Sequence, residues 1–259
     1  MKVFGIIPAR YASTRFPGKP LAQLGGRSMV EWVYHRASQT FDTVAVATDD
    51  ERIASEVHRF GGRVVMTSPD HCSGTDRCAE ALTLIQEETG TKADVVVNVQ
   101  GDEPFVDPEL LSRLVTCFYD ESAQIATVVK PFDTTADLLN PNNVKAVMTE
   151  AGRAVYFSRS PIPYIRGVKQ DEWLHQHTFY WHLGLYAYRT DILSQITKLP
   201  PSPLEIAESL EQNRWLENGY DIRIIQTTGE NIAIDTPEDL VMAQKWLEKN
   251  LMIPNSKIQ

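Results

Sequence analysis

Two runs in the first hundred residues are apolar almost without a break: 43–48 (TVAVAT) and 94–99 (DVVVNV). A strand with one wet face alternates apolar and polar side chains. A run that does not alternate is buried on both faces, which suits a parallel sheet covered by helices. Shorter runs of this kind occupy 3–7 and 63–66, and segments with helical spacing lie between them, around 29–38, 53–60 and 75–85. This alternation predicts an α/β fold built on a mostly parallel, Rossmann-like sheet. Such sheets collect ligands outside the carboxyl ends of their strands, so the residues that follow each run are the ones to weigh.

The first run leads into 8–21, PARYASTRFPGKPL, where Arg10, Arg15 and Lys19 occur with no acid before Glu31. Three cations without a counter-charge repel one another unless an anion sits among them, so this loop is expected to bind phosphate. The plainer alternative is a solvated basic surface. Neither the G-x-x-x-x-G-K-[ST] spacing nor G-x-G-x-x-G is present. Past 94–99 the chain reads QGDEP, with Asp102 just beyond a strand end; far away, Asp235 follows a short apolar run and precedes TPED. Two such carboxylates, with substrate phosphates, suit Mg²⁺. Each also has a local explanation, as a turn residue for Asp102 and a helix cap for Asp235.

HCSGTDR (71–77) places Ser73, Gly74 and Thr75 before a helix, with Thr75 the expected cap and Arg77 in the first turn, able to meet a nucleotide or simply to begin a helix. From 130 to 229 the rhythm becomes β-rich, which predicts an insertion within one domain of 1–259. It contains a hairpin (144–149 with 154–159), Arg159 before prolines, and an aromatic strand at 179–189 with His182. One amphipathic helix is expected over 202–219, and on it Glu205 and Gln212, seven apart, share a face. A helix from Thr236 closes the pattern.

The formal charge of −9 argues against non-specific binding to nucleic acid or anionic membranes, and requires a local cationic site for any anionic substrate. Three cysteines without C-x-x-C spacing indicate neither a disulfide framework nor a zinc site, and fit a reducing cytoplasm. No apolar run is long enough to span a membrane.

Taken in order, IIPARYASTRFPGKPL, ATDD, DHCSGTDR, VNVQGDEP, NPNNVK, YFSRSPIP, HLGLYAYR, SPLEIAESLEQNR and IDTPEDL resemble the 3-deoxy-manno-octulosonate cytidylyltransferase (CMP-Kdo synthetase) family over nearly the whole chain. The resemblance implies the nucleotide-diphospho-sugar transferase fold, a cytoplasmic Mg²⁺-dependent homodimer assembled through the insertion, and the reaction CTP + Kdo → CMP-Kdo + diphosphate in lipopolysaccharide synthesis. An 8-amino-Kdo or another sugar acid is the alternative acceptor. It also implies phosphate binding by Arg10, Arg15 and Lys19, and contacts to cytidine or the sugar edge from Ala9, Ser73 and Arg77. Asp102 and Asp235 match the magnesium carboxylates, with Lys19 catalytic beside them. Gln100, Arg159, His182, Tyr186, Glu205 and Gln212 fall in motifs around the sugar acid. Asp76 replaces the Glu usual in the family, and Trp181 stands where a basic residue commonly precedes HLG.

Overall fold

The computed structural model describes residues 1–12, 16–229 and 233–251. The chain forms two compact units, residues 1–112 with 230–259, and residues 113–229.

The first unit opens with β1 (Val3–Pro8), a small ribbon of β2 (Gln23–Leu24) and β3 (Arg27–Ser28), and α1 (Met29–Ser38). It continues with β4 (Thr43–Thr48), α2 (Glu51–Arg59), β5 (Val64–Met66), α3 (Gly74–Thr89) and β6 (Val95–Asn98), and α4 (Pro108–Thr116) begins at its end. Strands β6, β1, β4 and β5 lie side by side in that order, all parallel. Val95 to Asn98 are buried at each position, as is most of β4, so the apolar runs do lie in a sheet closed on both faces. Because the strands are parallel, the segments after Pro8, Thr48, Met66 and Asn98 all leave from one edge.

The helix starts are closed by local hydrogen bonds. Ser28 caps α1 by accepting from the Glu31 N–H, Asp50 caps α2 from Arg52, and Asp107 Oδ1 accepts from the Glu109 N–H at 3.0 Å where α4 begins. The cap of α3 is Ser73, not Thr75: its Oγ accepts from the Asp76 N–H at 3.1 Å, and Thr75 is already in the first turn and buried.

The second unit holds β7 (Ile125–Pro131), α5 (Thr135–Leu139), the hairpin β8 (Lys145–Met148) and β9 (Ala154–Ser158), α6 (Trp173–Gln176) and β10 (Tyr180–Arg189). Helices α7 (Thr190–Ile196), α8 (Pro203–Glu208) and α9 (Glu211–Glu217) and strand β11 (Ile222–Gln226) complete it. Strand β7 pairs with β11 in parallel and with β10 antiparallel, and β8 joins β10 to β9. The single helix expected over 202–219 is two. Ser209 adopts the left-handed conformation (φ 52°), which ends α8 and starts a new helix after Leu210. A non-glycine residue there costs about 1 kcal/mol. Its neighbours offset this, because the Arg159 guanidinium takes the carbonyls freed at the end of α8, Nε to Glu208 O at 2.7 Å and Nη2 to Ser209 O at 3.3 Å.

The chain then returns to the first unit. Ile234 joins Leu24, Met29, Trp32, Phe105, Ala243 and Leu247 in one apolar cluster, with α10 (Pro237–Leu251) lying on it. The start of α10 is a reciprocal cap: Thr236 Oγ1 accepts from the Asp239 N–H, and the Asp239 carboxylate accepts from the Thr236 and Asp235 N–H groups.

Candidate functional site

A cleft of about 350 Å³ lies at the carboxyl edge of the parallel sheet, wholly within the first unit. Ala9, Arg10 and Lys19 border it after β1; His71, Ser73, Gly74 and Arg77 border it around the start of α3. Gln100, Gly101 and Asp102 enter after β6, and Asp235 from the segment before α10. A Cβ on Gly101 would come 3.1 Å from the Pro8 carbonyl, so any larger residue would push the β6 loop and the end of β1 apart by a few tenths of an ångström.

The two distant acids meet on one cation. Lys19 Nζ donates to Asp102 Oδ2 at 2.8 Å and to Asp235 Oδ1 at 3.0 Å. The Ile234 N–H donates to the Asp102 carbonyl at 2.9 Å, which seats the late segment beside the β6 loop. The two carboxylates therefore lie within the reach of a single ion, and a lysine ammonium already sits between them. That donor set, two acids and open space for phosphate oxygens, suits a hard divalent cation. Among the described residues no group of three or more His, Cys, Asp or Glu gathers to hold a metal, so these two carboxylates would need phosphate or other oxygens to complete a site.

Arg10 is exposed and has no ion-pair partner among the described residues, so its charge is available to an anion. Arg15 lies outside the described residues. Arg77 is almost fully buried and already engaged, Nη1 to Thr67 Oγ1 at 2.6 Å and Nη2 3.2 Å from Asp49 Oδ1. It therefore shapes the wall it borders. Ala9 is held by its N–H to the Ala47 carbonyl, and the Ser73 hydroxyl serves the cap of α3.

Sequence reasoning assigned no role to His71. It faces the cleft and bonds through Nε2 to Glu80, whose Oε2 also accepts from the Ser68 N–H at 2.8 Å. Burial pushes the Glu80 carboxyl up, but the Ser68 N–H, His71 and Arg77 outweigh it and hold the group below its usual range. The signal was only the histidine next to Ser73-Gly74, too common a pairing to single out.

Of the residues expected around a sugar acid, Gln100 borders this cleft, and the other five belong to the second unit. There His182 is fully buried, its Nε2 2.9 Å from Thr127 Oγ1, and burial lowers its pKa to about 3, so it is a neutral imidazole. Tyr186 packs beside it, ring centroids 5.2 Å apart, with burial pushing its phenol well above the ordinary value. Arg159 is held by the carbonyls named above and by Pro141 O, and its N–H donates to Glu208 Oε2 at 2.9 Å. The face shared by Glu205 and Gln212 does not exist, because the break at Ser209 puts them on different helices. Glu205 completes the capping box of α8 with Ser202 and lies 3.5 Å from Arg214, whereas Gln212 is buried in α9. Trp181 stacks on Phe132, and Lys130 Nζ stands 4.6 Å from its ring centroid, so a cation is present at that position from the neighbouring strand.

The family model described as cytidylyltransferase matches residues 4–225. A 3-deoxy-manno-octulosonate cytidylyltransferase of Parabacteroides distasonis is 57% identical, covering 95% of this chain and 98% of that protein. Another of that name, from Bacteroides thetaiotaomicron, is 56% identical over 96% of this chain and 99% of that protein. Among solved structures, CMP:2-keto-3-deoxy-manno-octonic acid synthetase complexed with CTP superposes with a TM-score of 0.86 at 38% identity, covering 96% of this chain and 99% of that one.

Proposed function

Because the chain belongs to the cytidylyltransferase family, we propose that it transfers the cytidylyl group of CTP to 3-deoxy-manno-octulosonate, releasing diphosphate. The observation that carries this reading is the contact of Lys19 with both Asp102 and Asp235 in a cleft that Arg10 also borders. The chemical difficulty is the meeting of two anions, a sugar carboxylate and a triphosphate. Arg10 and Lys19 supply positive charge where the triphosphate would lie, and Arg15 belongs to the same proposal. Asp102 and Asp235 would hold Mg²⁺, which when bound neutralises phosphate charge and acidifies the attacking hydroxyl. Lys19 keeps the two carboxylates together and would exchange part of that pairing for a phosphate oxygen when nucleotide arrives. Attack on the α-phosphorus then needs alignment and charge neutralisation more than any protein nucleophile.

The sugar-acid contacts expected of Gln100, Arg159, His182, Tyr186, Glu205 and Gln212 remain part of this proposal. So do a homodimer and a cytoplasmic place in lipopolysaccharide synthesis. No helix among the described residues is long and apolar enough to cross a membrane. The test is diphosphate release with each of the four nucleoside triphosphates against Kdo, 8-amino-Kdo and other sugar acids, with Mg²⁺ and with chelator. Release confined to CTP with Kdo and Mg²⁺ is the expected result. Release with 8-amino-Kdo instead changes the acceptor, and none with CTP ends the reading. Sedimentation at equilibrium tests the dimer.

A further inference from the structure

The paired aspartates that follow β4 take no part in the chemistry above, yet each holds one arginine. Asp49 Oδ1 lies 3.2 Å from Arg77 Nη2, and Arg77 borders the cleft beside Ser73 and Gly74. Asp50 holds Arg52 at two points, Nε to Oδ1 at 3.0 Å and Nη2 to Oδ2 at 2.6 Å, while its Oδ1 also accepts the Arg52 N–H at the start of α2. That pairing with Arg52 keeps the Asp50 carboxyl below its usual range.

The guanidinium fixed in this way lies over the ring of Tyr11, with Cζ 3.3 Å from the centroid. Tyr11 in turn meets the residue before Lys19. Its carbonyl accepts from the Gly18 N–H at 2.9 Å, and a Cβ on Gly18 would come 3.0 Å from its ring. Gly18 has φ 71°, a conformation that side chains avoid, so glycine is favoured here on two counts.

We propose that Asp49 and Asp50 are positioning residues for the nucleotide. Asp49 sets the α3 wall of the cleft through Arg77. Asp50 sets the spacing of Arg10 and Lys19 through Arg52, Tyr11 and Gly18. This rests on the cytidylyltransferase reading for what the cleft holds. Physically, a basic loop left to itself must be ordered by its ligand, and that ordering subtracts from affinity. A carboxylate that directs Arg52 onto an aromatic face orders one end of the loop beforehand, and also keeps a fourth cation from competing for the phosphates.

The full-length protein, without nucleotide, is digested briefly with trypsin and cleavage after Arg10 is followed by mass spectrometry. Arg52→Ala and Asp50→Asn are expected to raise its rate about two- to fivefold, the size of one exposed cation–π contact. Tyr11→Phe keeps the ring and is expected to cleave at the wild-type rate. In turnover, Arg52→Ala is expected to raise KM for CTP by the same factor, with kcat and KM for Kdo unchanged. Asp49→Asn is expected to raise KM for CTP as well, and Asp49→Glu, which keeps the charge, to restore it. Unchanged cleavage in both Arg52→Ala and Asp50→Asn, or a fall in kcat at constant KM, overturns the proposal. The digestion uses no nucleotide, so a wild-type chain inactive toward CTP would defeat the functional reading alone and leave the Asp50–Arg52–Tyr11 arrangement to be decided by the protease.

Discussion

Lys19 and Asp235 are 216 positions apart in sequence, and their side chains meet at 3.0 Å. Asp102 joins them from a third segment, so neither acid is explained by its local turn or cap alone. Asp235 does sit at the start of α10, but the capping carboxylate there is Asp239, which leaves the Asp235 side chain turned toward Lys19.

Asp102→Asn is expected to lower kcat about 10²-fold or more, because the charge lost acts where negative charge moves in the transition state. Stability should change by less than about 1 kcal/mol, since the pair is partly solvated and Lys19 keeps Asp235 as a partner. Diphosphate release and a urea titration measure the two effects. Turnover like the wild type in Mg²⁺ would remove Asp102 from the mechanism.

Lys19→Met leaves two facing carboxylates with no cation between them. Millimolar Mg²⁺ should then raise the melting temperature of the variant more than that of the wild type, because a ligand stabilises the folded state it binds. Equal responses in the two proteins would mean that these acids do not take the metal.

His182 ties stability to acid. Its folded pKa of about 3 lies below the unfolded value near 6.5, so the unfolded chain binds the extra proton between those limits. The stabilisation is therefore complete above about pH 6.5 and is lost as pH falls toward 3, by at most about 1.4 kcal/mol per pH unit. Denaturant midpoints between pH 7 and 5 should fall more steeply for the wild type than for His182→Gln. Parallel slopes would mean that the imidazole titrates normally.

Lys145, fully buried, donates to the carbonyls of Asn140 at 2.7 Å and Arg159 at 2.8 Å. Lys145→Met removes both bonds and should cost about 1–3 kcal/mol, the penalty for stranding buried carbonyls. Because Arg159 loses one of several contacts, KM for the sugar acid is expected to rise as well if Arg159 takes its proposed place at that acid. A stable variant with unchanged KM would separate Lys145 from that residue.

Much of the first unit was legible because buried parallel strands leave an apolar signature that survives without any partner information. TVAVAT and DVVVNV gave their strands within a residue at each end, and the strand-end rule drew attention to Asp102. What the sequence could not show was which side chains answer one another across the edge. Asp49 and Asp50 read as a polar strand end, and only the fold shows that one faces Arg77 and the other Arg52. The break at Ser209 was hidden for a different reason. Its left-handed turn is tolerated because Arg159, fifty positions earlier, takes the loose carbonyls, and no window of local sequence contains that contact.

The hydrogen bond from Ile234 to the Asp102 carbonyl and the Asp235–Lys19 contact bear on synthesis at the ribosome. Translation delivers the sheet early and one of the two acids last. A chain arrested between Asp102 and Asp235 would carry Arg10, Lys19 and the rest of the cleft lining but could not assemble the acidic pair. On the proposed chemistry, such shortened products would be inert rather than misdirected.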